Sequence, residues 1–193
     1  HVSSRRQRQM CIRDRDYSPI TKCWYGGTQD VGSVAQLSTT DTTGNTFNTG
    51  DGGDIMIIND VSKYPNEEGK FRKESDSNAE PVSYVYHSSQ YLYSLTKRVM
   101  DSNNNIISTS YLTTLANKLP NTRFINPIKN HRFDINRALF VSKYHGIYET
   151  NNLRDDNNAQ LSNEGMNLVN PNSNAIEFGS KDDPDIILSL IHI

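Results

Sequence analysis

The chain has 193 residues, 20 basic and 22 acidic side chains, a formal net charge of −2 and a mean hydropathy of −0.70. This length supports one domain with a real core beneath long polar loops, and no apolar stretch reaches the ~18 residues that span a bilayer. The chain has 22 Asn, 20 Ser and 14 Thr, a bias often found in secreted bacterial or virion surface proteins, in which polar loops decorate strands.

Residues 1–15 (HVSSRRQRQMCIRDR) and 188–193 (LSLIHI) resemble translated sequencing-library adapters at the edges of metagenomic reading frames. On that reading both ends are artefact segments, the first disordered, and residues 16–187 are a single domain open to truncation at either edge. Setting the ends aside removes Arg5, Arg6, Arg8, Arg13, Arg15 and Asp14, which leaves 15 basic and 21 acidic residues, a net charge of −6. The remaining cations are scattered from Lys22 to Lys181, so no nucleic-acid partner is expected. Read as native, the N-terminal arginines would instead seek polyanions. Cys11 falls in the suspect segment and leaves Cys23 alone, so no disulfide is expected.

In chain order, ITKCWY at Ile20–Tyr25 predicts a half-buried strand with a turn at Gly26–Gly27. Residues 38–53 form a polar Gly/Thr/Asn loop, and DIMII at Asp54–Ile58 is a buried strand. Residues 59–81 read as a long exposed loop. The aromatic stretch 82–100 favours strands over a helix, because Tyr and Val suit pleated surfaces. A hairpin about His87–Gln90 would pair Tyr86 with Tyr91 and Tyr84 with Tyr93, and all four rings would share one face. Asp101–Asn105 is a turn across which the flanks pair. Two helices are predicted, one after Ser110 stopping at Pro120, the other capped by Asp134 and ending at His145–Gly146. Residues 151–174 are polar with sparse apolar anchors, and no repeat is evident.

Chance would supply about four Asn-x-Ser/Thr glycosylation sites, and the chain has none, which favours a bacterial or phage source. Asp101-x-Asn103-x-Asn105 matches the start of a calcium loop, but Ile106 and Leu112 occupy the Gly and Glu positions, so a hairpin turn is expected. Thr39–Phe47 (TTDTTGNTF) resembles the Asp-box turn of sialidase-like propellers, Ser-x-Asp-x-Gly-x-Thr-Trp/Phe. It carries one extra residue between Asp41 and Gly44 and occurs once where a propeller would repeat it, so a polar surface loop is the simpler reading. Gly50–Asp54 lacks the pattern of a phosphate cradle.

His87, His131, His145, Cys23, Asp134, Glu149, Asp155 and Asp156 are the titratable candidates for catalysis, but no pair has a recognised spacing and no cluster suits zinc. No cofactor or metal is expected. Tyr84, Tyr86, Tyr91 and Tyr93 are the candidate binding residues, because Tyr offers an apolar face and a polar hydroxyl to a sugar ring or a protein partner; packing as the core of a sheet is the competing role. The sequence thus predicts an α+β fold, mainly β, with an antiparallel or sandwich-like core, one or two short helices and long polar loops. The expected function is a non-enzymatic structural or binding module of an extracellular, cell-surface or virion assembly, with glycan or another surface protein as partner. The alternative is a fragment of a secreted hydrolase acting on glycan or peptide.

Overall fold

The computed structural model describes residues 12–36, 38–60, 81–120, 122–131, 134–142, 146–154, 160–163, 175–178, 183 and 187–190. These form antiparallel sheets, as the mainly β reading predicts. The first sheet holds β1 (Ile12–Ser18), β2 (Cys23–Thr28), β3 (Gly32–Gln36) and β4 (Gly44–Thr46) in chain order. The second holds β5 (Gly52–Asp60), β6 (Val82–Ser89), β7 (Thr96–Met100) and β8 (Ile106–Tyr111), also in chain order. The third has β9 (Ile128–Asn130), β10 (Ala138–Val141), β11 (Ile147–Thr150) and β12 (Ser162–Asn163) in the order β12-β11-β10-β9, and β13 (Ala175–Phe178) pairs with β14 (Ile187–Leu190). Among the described residues, helix is confined to α1 (Thr113–Lys118) and a 3-10 turn at Gln90–Leu92.

The second sheet is the middle layer. Every residue of β6, VSYVYHSS, is buried, which a strand achieves only when both faces of its sheet are covered. Tyr84 and Tyr86 on one face join Met56, Ile58, Leu115 and Phe140 in a core shared with α1 and the third sheet. Val85 on the other joins Cys23, Tyr25, Ala35, Ile55 and Ile57 in a core shared with the first sheet. Contact between those layers is so close that a Cβ on Gly27 would collide with the Gly53 carbonyl oxygen, a position only glycine satisfies.

Side chains finish what the strand ladders leave open. β1 and β5 are both edge strands, and the Asp14 and Asp16 carboxylates accept from the Ile55 and Ile57 N–H groups at 3.1 and 3.0 Å. Asp54 in turn accepts from Ile128 N at 2.8 Å and ties β5 to β9. These carboxylates occupy backbone donors that would otherwise be buried without partners.

Several sequence expectations hold: the DIMII strand, the α1 turn before Pro120, and the β7–β8 hairpin, in which Val99 pairs with Ser108 and Asn104 takes a left-handed φ of 65°. Others need correction. Residues 12–15 are not disordered but are part of β1, paired with β2, and residues 188–190 pair with β13; residues 1–11 and 191–193 lie outside the described residues. Gly26 and Gly27 are inside β2, and the turn comes later, where Asp30 has φ 64°. The predicted helix from Asp134 is instead the β10–β11 hairpin, closed by Ser142 N–H on Gly146 O with Gly146 at φ 96°. A short apolar run such as Ala138–Val141 fits either period, and burial on both faces selects the strand. Most of the loops at 59–81 and 151–174 lie outside the described residues.

Candidate functional site

The tyrosines do not share one face. β6 runs on through Ser89, so Tyr84 pairs with Val99 and Tyr86 with Lys97, and the chain turns at 90–95 rather than at His87–Gln90. Tyr84 and Tyr86 are 4% and 0% exposed. Tyr86 Oη finds no hydrogen-bond partner among the described residues, and burial raises the pKa of its phenol. These two rings are core. Tyr91 and Tyr93 are 55% and 75% exposed.

The loop that carries them is held in an unfavourable conformation. Tyr91, Leu92 and Ser94 have φ of 59°, 55° and 53°, a region that costs a non-glycine residue about 1–2 kcal/mol. Several contacts enforce it. Leu92 is buried in the core at 2% exposure. Tyr91 N–H donates to Phe124 O at 2.9 Å, and the two rings meet edge to face at 5.3 Å. Gln90 N–H donates to Asp51 O at 2.9 Å while the Gln90 side-chain oxygen accepts from Asp51 N at 3.1 Å. Ser89 N–H closes the loop on Tyr93 O at 2.8 Å.

Tyr91 and Tyr93 line two hollows. One, of about 440 Å³, is completed by Tyr111 at the end of β8 and by Thr113, Asn117 and Thr122 near α1. The other, of about 400 Å³, is completed by Thr49, Gly50, Ser89 and Gln90. Hydroxyls and amides beside exposed rings make a mixed polar and aromatic surface suited to a ligand with apolar C–H faces and hydroxyl edges. Tyr111 and Phe124 were missed in the sequence, because no spacing links them to the 90–95 loop. Only the fold brings them there.

A second aromatic surface lies on the first sheet, where Tyr17 and Trp24 are cross-strand neighbours with ring centroids 5.1 Å apart. A hollow of about 310 Å³ beside Trp24 is walled by Gln36 at the end of β3 and by Asp41 and Thr43 from the Asp-box-like stretch. Gln36 is already engaged, accepting from Trp24 N and donating to Asp41 O, and the local backbone lacks the run of left-handed residues found at 91–94.

Among the described residues the catalytic candidates form no cluster. His131 Nδ1 accepts from the Asp134 backbone N–H at 3.0 Å, while the Asp134 carboxylate accepts from Asn136 N at 3.0 Å. Glu149 is bound by Arg137 at 2.6 Å. His87 is buried, accepts from Arg98 Nε at 3.1 Å, and is pushed down to about 3 by burial and the Arg98 charge. The buried Cys23 thiol is pushed up by desolvation. His145, Asp155 and Asp156 lie outside the described residues. No group of three or more His, Cys, Asp or Glu able to hold a metal occurs among the described residues. In the Asp101–Asn105 turn the Asp101 carboxylate accepts from Asn103 N, Asn105 N and Asn105 Nδ2, as a hairpin turn requires.

Fold and surface together define a layered antiparallel β protein carrying a strained, aromatic-lined groove. Comparison with known protein families, with curated proteins and with solved structures finds no match to this chain. Among the described residues no helix is long and apolar enough to cross a membrane.

Proposed function

We propose that the chain is a non-enzymatic binding module of a bacterial extracellular or virion surface assembly, and that it binds carbohydrate along the ridge formed by Tyr91 and Tyr93. The observation that carries this reading is the loop at 91–94, where three left-handed non-glycine residues hold two tyrosines out in solvent. Backbone strain that the surrounding structure enforces is concentrated at ligand sites, and a pre-set loop spares the ligand the entropy of ordering it. The rings would stack on the C–H faces of sugar rings, while Thr113, Asn117 and Gln90 meet the hydroxyls.

The test is a glycan-array screen followed by titration of the best glycan. Loss of one stacking ring removes about 1 kcal/mol beyond area, so Tyr93→Ala should weaken binding by roughly tenfold and leave the melting temperature unchanged, whereas Trp24→Ala should leave affinity unchanged. Absence of any bound glycan, or equal affinity in Tyr93→Ala, would sink the proposal. The hydrolase alternative draws no support from the described candidates, which lie in turns, in an ion pair or in the core.

A further inference from the structure

β8 is the longest strand edge that nothing covers among the described residues. The opposite edge of its sheet, β5, is closed by Asp14 and Asp16, and β4 and β12 have only three and two residues. β8 reads Ile-Ile-Ser-Thr-Ser-Tyr, with Ile106, Ile107 and Tyr111 exposed at 48%, 56% and 66%. It has no Lys, Asp, Glu or Pro, the usual devices that blunt an edge.

The backbone geometry specifies which groups are available. Leu112 N–H donates to Leu95 O, in the register that pairs Tyr111 with Thr96 and Thr109 with Arg98. Hydrogen bonding alternates along an antiparallel strand, so the even residues Ser108 and Ser110 turn their N–H and C=O groups towards β7. Thr109 and Tyr111 therefore turn theirs outward, while Ile107 is the extra residue of a bulge, between the Val99–Ser108 and Met100–Ile106 pairs.

We infer that β8 pairs antiparallel with β8 of a second copy of this chain, about a two-fold axis through Thr109, to make a continuous eight-stranded sheet. The sequence is self-complementary in that register. Ile107 lies opposite the second copy's Tyr111 and Tyr111 opposite its Ile107, with Thr109 facing Thr109 on the axis and Ser108 facing Ser110. Aromatic with β-branched and hydroxyl with hydroxyl are favourable cross-strand pairs, and no like charges meet. The outward N–H and C=O groups of Thr109 and Tyr111 fall in the hydrogen-bonded positions. Shifting the axis to Ser108 would instead set Ile106 against Ser110 and Tyr111 against Asn105, so one register is preferred. A two-fold contact closes on itself, which limits growth to a dimer. Since Tyr111 also lines the 440 Å³ hollow, pairing sets one groove on either side of the junction.

An edge of six residues buries less than a standard interface, so the dimer should be weak. Sedimentation equilibrium from about 10 µM to about 1 mM should show the mass rising from 21.9 kDa towards twice that value. Thr109→Lys, which places two ammonium groups together on the axis, should hold the chain monomeric across that range. Register is tested by one introduced cysteine at a time in a Cys11→Ser background, in which the remaining Cys23 is buried, under mild oxidation. Thr109→Cys should cross-link at least tenfold faster than Ser108→Cys or Ser110→Cys, because only residue 109 meets its own copy at a distance a disulfide spans. A monomer at every concentration, association indifferent to Thr109→Lys, or equal cross-linking at all three positions would each overturn the inference.

Discussion

Four tyrosines close together in sequence do two different jobs, and burial separates them. Tyr84 is enclosed between β6 neighbours and the core shared with α1, so Tyr84→Ser should destabilise the fold by about 3–5 kcal/mol, the scale of an aromatic truncated to a small side chain in a core. Tyr93→Ser, at a largely solvated position, should change stability by less than about 0.5 kcal/mol. Urea unfolding of the two variants measures both, and similar losses would contradict the separation. Sequence alone could name the rings as stacking candidates. Which of them face water depended on where β6 ends, because Ser88 and Ser89 look like a turn yet are buried in a strand.

At the scale of elements, the 90–95 loop stores strain that ordinary packing must overcome. Ser94, exposed and at φ 53°, is the residue whose side chain does least to hold the loop. Ser94→Gly should therefore raise stability by roughly 0.5 kcal/mol, the left-handed penalty less the added freedom of the unfolded chain, seen as a higher urea midpoint with unchanged slope. An unchanged or lower midpoint would show that the loop is not strained there. The β7–β8 hairpin was legible because Asp101 and the asparagines supply both the side-chain acceptor and the left-handed residue that such a turn needs. The β10–β11 hairpin was not, since Asp134 accepts from Asn136 N in a turn and so imitates a helix cap, and Gly146 serves a hairpin as readily as a helix end.

For the whole molecule, two buried groups set opposite limits of pH. His87 has an ordinary value of 6.5 and is pushed down to about 3 by burial and by Arg98, so the unfolded chain takes up a proton that the folded chain refuses, and stability falls as pH drops from 6.5 towards 3. Asp54 has an ordinary value of 3.8 and is pushed up to about 8 by burial and the neighbouring Asp14 carboxyl. The folded chain then keeps a proton that the unfolded chain has released, and stability falls as pH rises from 3.8 towards 8. Between about 4 and 6.5 the two slopes oppose each other, which places a plateau there. Denaturant midpoints across pH 3–8 should lose the acid limb in His87→Gln and the alkaline limb in Asp54→Asn, whose side-chain carbonyl still accepts from Ile128 N. Variants that keep both limbs would assign the pH dependence elsewhere.

From its residues alone this chain commits to a mainly β domain with polar turns, because alternation and turn chemistry are local properties. The stacking of the three sheets, the β1–β5 seam tied by carboxylates and the meeting of Tyr91, Tyr93, Tyr111 and Phe124 were decided only in three dimensions. Each depends on pairing between segments distant in sequence, and neither periodicity nor propensity carries information about which distant strand a given edge will find.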